Sequence, residues 1–223
     1  MTHIKRKQFD DHNEKQYLSV GIQLAAPVYA TMSRVPLLTE KTIKAKIARY
    51  NRRKIQDDSL TRSAVLVPIV ESLDGLELLF TKRTQSVEHH KGQISFPGGA
   101  ADPSDKSLIE TALRESSEEI GLTASEISVL GVMDDLQTPS GFVVTPVIGF
   151  LHHRPAIHLN ADEVAEVIFI PLEKFFDDSL RRSEVRERRG VPVEVYFYDV
   201  WKEPVWGATA LFVKRLVDLL RAK

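Results

Sequence analysis

The chain has 223 residues, 43% of them hydrophobic and 27% charged, and a formal net charge of −1. That composition suffices for one generously sized core, while the near-neutral balance supplies no basic field for nucleic acid. The absence of cysteine excludes disulfides, thiolate nucleophiles and cysteine-ligated zinc and fits a cytoplasmic setting; no run of about 20 apolar residues suggests a membrane span.

Residues 1–38 read as an arm that lies on the domain or on a partner subunit, which makes a homodimer an expectation. The arm starts basic, but no apolar segment follows directly, and Asp10, Asp11 and Glu14 argue against a transit peptide. The folded domain is expected over residues 39–223. Thr39 to Asn51 reads as a helix with Thr39 as N-cap and Ile43, Ile47 and Tyr50 on one face. Its basic run KIARYNRRK reads as a solvated helix face, with a phosphate patch as the rival reading. Ser63 to Glu71 (SAVLVPIVE) is almost continuously apolar, as in a strand buried on both faces, although Pro68 argues against a central position. Asp74-Gly75 marks a hairpin leading into Leu76 to Lys82.

Further strands are expected at Ile127 to Met133, Phe142 to Leu151, Val164 to Ile170 and Val191 to Val200, with a turn at Thr138 to Gly141. A short helix is expected to begin at Pro171, and an amphipathic one over Thr209 to Arg221, with Leu211, Leu216 and Leu220 facing inward. Hairpins mixed with two or three helices indicate an α/β sandwich.

The stretch FPGGAADPSDKSLIETALRESSEEIGL, Phe96 to Leu122, carries the chemistry. Ser107 to Glu110 has the spacing of a capping box, and Gly121 that of a helix stop, so the helix runs between them. Leu108, Ala112, Leu113, Ser116 and Ile120 form its buried side. Glu115, Glu118 and Glu119 share one face, where like charges repel. Arg114 can pair with Glu118, while nothing at helical spacing pairs with Glu115 or Glu119. Oxygen donors on a stiff element suit a hard divalent cation, Mg²⁺ or Mn²⁺. Gly98-Gly99 permits close backbone approach, and the Gly99 carbonyl is a further candidate ligand.

At these residues the chain resembles the Nudix hydrolase family. Arg114-Glu115-Ser116-Ser117-Glu118-Glu119-Ile120-Gly121-Leu122 matches the second half of its box. In the first half Asp105 stands for glutamate, and eight residues rather than seven lead to Arg114. That one-residue extension resembles the coenzyme A pyrophosphatase branch, as does the upstream run Leu79-Phe80-Thr81-Lys82-Arg83-Thr84 with Gly92 and Phe96 to Gly99. Glu88 stands where that branch has arginine. The segments TPSGFVVTPV, NADEVAEVIFIPL and WGATA also look like the branch.

The resemblance implies an α/β/α sandwich with a mixed sheet and a loop-helix-loop catalytic motif. It implies a small-molecule diphosphate substrate, hydrolysed with Mg²⁺ or Mn²⁺: coenzyme A or an acyl derivative, or else ADP-ribose, NADH or a dinucleotide polyphosphate. A non-catalytic ligand-binding module is the remaining alternative. Glu115 and Glu119 are then the principal metal ligands, and Glu118 is a ligand or holds Arg114. Glu163 or Glu166 is the candidate base or an extra ligand. Arg83, His90, Gly92, Gln93 and Phe96 are candidate substrate-binding residues; Arg83 has an ion pair and His90 a loop-orienting role as alternatives. Trp206 reads as packing for the closing helix rather than a platform for adenine.

Overall fold

The structure, a computed structural model, describes residues 38–85, 92–188 and 190–222. The arm of residues 1–37, Glu88 and His90 lie outside the described residues. In chain order the elements are α1 (Glu40–Ala48), β1 (Thr61–Ser72), β2 (Gly75–Arg83), β3 (Ile94–Ser95), β4 (Gly98–Ala100), α2 (Leu108–Ile120), β5 (Ser128–Val132) and β6 (Leu136–Gln137). There follow β7 (Phe142–Leu151), β8 (Val164–Pro171), β9 (Arg181–Arg188), β10 (Val191–Tyr198), β11 (Val205–Trp206) and α3 (Gly207–Arg221).

Among the described residues the main sheet has the order β3-β2-β1-β7-β5, with β4 also pairing with β1, β6 with β7 and β8 with β2. β1 and β7 run parallel from Thr61↔Phe142 to Val70↔Leu151, and the other pairs are antiparallel, so the sheet is mixed. β9, β10 and β11 form a second, smaller sheet.

The continuous apolar run of β1 serves two cores, because successive side chains point to opposite faces. Ala64, Leu66 and Val70 pack with Leu79, Ala112 and Ile120 under α2. Val67 and Ile69 pack with Phe80, Phe150, Phe212 and Leu216 on the face covered by α1 and α3. The result is helix, sheet, helix. Pro68 does occupy a central strand. On the side where Leu66 donates to the Pro97 carbonyl, the β4 register ends at Val65 and the β2 register begins at Ile69, so the donor that proline lacks falls where neighbours change.

Several boundaries differ from the sequence reading. α1 stops at Ala48, and two arginines beyond it are engaged in ion pairs rather than lying on a helix face: Arg52 pairs with buried Asp135 at 2.5 Å and Arg53 with buried Asp134 at 2.8 Å. On α3 it is Phe212, Val213 and Val217 that join Leu216 and Leu220 in the core, whereas Leu211 is only half-buried. β9 (RRSEVRER) has no apolar alternation and was not expected as a strand; its pairing with β10 over eight registered positions holds it. Gly98–Ala100, read as loop, forms a ladder with β1.

Candidate active site

The helix that carries the acidic residues is fixed at both ends. The Ser107 hydroxyl accepts a hydrogen bond from the Glu110 N–H at 3.2 Å, a cap worth about 1 kcal/mol. The Glu110 carboxylate accepts from the Lys106 N–H at 2.7 Å, one residue before the position a capping box requires, so only half of that motif forms. Gly121 ends α2 at φ +77, where a side chain would strain the backbone. The carbonyls of Glu119 and Ile120 accept from the N–H groups of Asn160 and His158, at 2.9 and 3.0 Å, which ties the segment before β8 to the end of α2.

α2 buries Ala112, Ser116 and Ile120 as expected and adds Thr111 and Glu119 to that face, with Leu108 and Leu113 half-buried and packed at its margin. Glu119 is only 4% exposed. Its Oε2 accepts from the Gly98 N–H at 3.2 Å, and its Oε1 lies 3.9 Å from Nη1 of Arg83. Burial raises its pKa to about 8, against the opposing pull of Gly98 and Arg83. Glu115 is pushed up as well, again chiefly by burial, with Arg114 pulling the other way. A β-carbon on Gly99 would sit 2.3 Å from Oε2 of Glu115, so the bare backbone of β4 makes room for that carboxylate.

Arg114 is the hub on the outer side. Its Nη1 lies 2.8 Å from Glu115 and 3.0 Å from Glu118, and its Nη2 donates to the Ala100 carbonyl at 3.0 Å. Nε and Nη2 also grip both oxygens of Asp105, at 3.0 and 3.1 Å. The expectation that Glu115 has no partner is therefore corrected: the adjacent Arg114 reaches back to it. Asp105, read in the sequence only as a departure from glutamate, anchors Arg114, and Arg114 in turn holds its carboxyl well below the usual carboxylate range. The extra residue of this loop is absorbed in a tight turn, in which the Asp105 N–H donates to the Asp102 carbonyl at 2.9 Å.

Two carboxylates, Glu115 and Glu119, are thus held side by side in a partly dry place against the cost of their charge. Among the described residues no three acidic or histidine side chains close into a ligand cage, because Glu118 is turned outward to Arg114. The remaining pair still suits a hard cation, which would relieve both the repulsion and the burial cost. Both glycines of β4 lie against this pair. Gly99 packs against the Glu115 carboxylate, and the Gly98 N–H reaches Glu119.

Other expected residues divide. Glu163 is exposed, and its charge is felt by both Glu115 and Glu119. Glu166 is exposed and registers opposite Lys82 of β2. Arg83, Gln93, Phe96 and Trp206 border a cavity of about 350 Å³ that also reaches Gly98. Phe96 is a core residue as well, stacked 4.7 Å from Phe80. Gly92 takes φ +66 in the turn before β3, where its N–H donates to the Thr84 carbonyl at 3.4 Å.

A family model described as the NUDIX domain matches residues 60–196. The chain belongs to the Nudix family. It is 39% identical over 186 residues, 80% of this chain and 93% of the relative, to the uncharacterized Nudix hydrolase NudL of Yersinia enterocolitica. It is 41% identical over 155 residues, 70% of this chain and 80% of the relative, to that of Pectobacterium atrosepticum. Among solved structures, a MutT/nudix family protein from Enterococcus faecalis is 16% identical and has a TM-score of 0.49, covering 81% of this chain and 75% of that one. As a Nudix hydrolase the protein acts on a nucleoside diphosphate derivative, and its family works with divalent metal ions. The described residues include no helix long and apolar enough to cross a membrane.

Proposed function

We propose that this Nudix hydrolase cleaves the diphosphate of coenzyme A or an acyl-coenzyme A, giving 3′,5′-ADP and (acyl-)4′-phosphopantetheine. The observation that carries this reading is Arg83. It stands where the upstream motif of the coenzyme A branch has an arginine, and it links Glu119, 3.9 Å away, to the cavity beside it.

Glu115 and Glu119 would hold Mg²⁺ or Mn²⁺, with the Gly99 carbonyl as a further donor. When bound, such an ion supplies positive charge against the diphosphate and acidifies a neighbouring water. The chain's own residues do the rest. Arg83 binds and orients a phosphate as the substrate crosses from the cavity to the carboxylates. Glu163 accepts the proton of the attacking water, an assignment supported by its coupling to both ligands. Arg114, with Glu118 and Asp105, keeps Glu115 in place and does not touch substrate.

A screen of coenzyme A, acetyl-coenzyme A, ADP-ribose, NADH and a dinucleotide polyphosphate with Mg²⁺ or Mn²⁺ tests the reading. The coenzyme A compounds are expected to have the highest kcat/KM, and chromatography of the products should show 3′,5′-ADP. Efficient turnover of ADP-ribose with coenzyme A untouched would overturn it.

A further inference from the structure

Trp206 belongs to a stack. It sits opposite Phe197 in the β10–β11 ladder, and the two rings lie 6.0 Å apart and within 9° of parallel. The guanidinium of Arg182 lies 4.1 Å from the Phe197 centroid, and that of Arg186 lies 5.3 Å from Phe197 and 5.9 Å from Trp206. Phe197 is buried, whereas Trp206 is only half-buried. Phe197 stacks with the indole and the Arg186 guanidinium sits over it, while the half-buried Trp206 also borders the cavity.

The cavity, about 350 Å³, is at the small end of ligand pockets, which span roughly 300–1,000 Å³. It has room for one limb of a two-limbed diphosphate. Its walls are apolar side chains such as Val65, Val144 and Phe212, and its rim carries the hydroxyls of Ser140 and Thr209. A flat heteroaromatic ring uses both features, a π face for the indole and polar edges for the rim. An alkyl limb would use only the walls.

We infer that the cavity is a nucleobase slot with Trp206 as its stacking platform, so that Trp206 determines which end of the diphosphate enters. Arg83 stands at the junction of slot and carboxylates, which places the base on one side of it and the scissile linkage on the other. The inference deepens the proposed function and rests on it only for the position of the diphosphate.

The test is a fluorescence titration of the full chain in a Trp201→Phe background, which leaves Trp206 as the only indole. No divalent ion is added, and excitation is at the red edge of indole absorption. ADP is expected to quench Trp206 emission saturably, and 4′-phosphopantetheine is expected to leave it unchanged. Trp206→Leu should weaken ADP binding, read by calorimetry, about tenfold, whereas Trp206→Phe should retain most of it. Quenching by 4′-phosphopantetheine but not ADP would overturn the inference, and so would ADP affinity unchanged in Trp206→Leu. Because the native indole is itself the probe, the result does not depend on Trp206→Leu folding. The outcome also separates the two readings: Trp206-dependent ADP binding by an enzyme inert toward coenzyme A sinks the substrate assignment alone. Coenzyme A turnover with KM unchanged in Trp206→Leu sinks the slot alone.

Discussion

Asp105 and Arg114 form a two-pronged ion pair, Oδ1 to Nε at 3.0 Å and Oδ2 to Nη2 at 3.1 Å, between the glycine loop and the helix it enters. A fork-to-fork pair fixes orientation as well as distance. The same guanidinium touches Glu115, so Asp105 controls a metal-facing carboxylate without approaching it. Asp105→Ala is expected to lower kcat and the apparent affinity for Mg²⁺ by about 10- to 100-fold, the usual cost of losing a group that orients a ligand. Arg114→Lys should behave similarly, since lysine cannot span Asp105 and Glu115 together. Steady-state kinetics across a Mg²⁺ titration check both.

Gly99 and Gly98 separate function from folding. At Gly99 the atoms in the way of a β-carbon are the end of the flexible Glu115 side chain. Gly99→Ala should therefore fold with little change in Tm yet lose at least about tenfold in kcat. At Gly98, φ is +153 and the obstacle is the Ala64 carbonyl at 2.3 Å. Gly98→Ala should cost stability outright, by about 2 kcal/mol or more. Thermal melts beside initial rates distinguish the two.

Glu119 makes the metal-free protein sensitive to pH. Its pKa rises from 4.5 to about 8 on folding, so the folded state holds the proton more tightly than the unfolded chain. The favourable contribution is complete below about pH 4.5 and is lost as pH rises through about 8. Melts in EDTA should lose on the order of a few kcal/mol across that range. Mg²⁺ or Mn²⁺ should restore the loss, and Glu119→Gln should flatten the profile while abolishing activity. A flat wild-type profile in EDTA would contradict this.

Glu163 and Glu166 lie on the same short segment but differ in what they reach. Glu163→Gln is expected to reduce kcat by about 10²- to 10⁴-fold, as for loss of a general base. Glu166, which registers opposite Lys82 on β2, is the control: Glu166→Gln should remain within about twofold of wild type. Rate measurements at saturating substrate decide the matter.

Much of this molecule was legible in its order of residues because the relevant physics is local. The run SAVLVPIVE read as a strand buried on both faces, despite Pro68, and Ser107 and Gly121 bracketed a helix by their own hydrogen-bonding and dihedral preferences. Spacing along that helix gave the Arg114–Glu118 pair. β9 was not legible, since its polar residues are held as a strand by β10 and not by their own pattern.

By itself, then, the sequence determined the family, the main elements and the run of carboxylates, all set by neighbours within a few residues. Only the tertiary structure decided which carboxylate is buried, because that depends on β4 lying against β1 and bringing the Gly98 N–H to Glu119. It also turned Asp105 from a deviation into the anchor of Arg114 and set Arg83 and Trp206 on one cavity. Those relationships join residues far apart in the chain, and separation along the chain carries no record of distance in the fold.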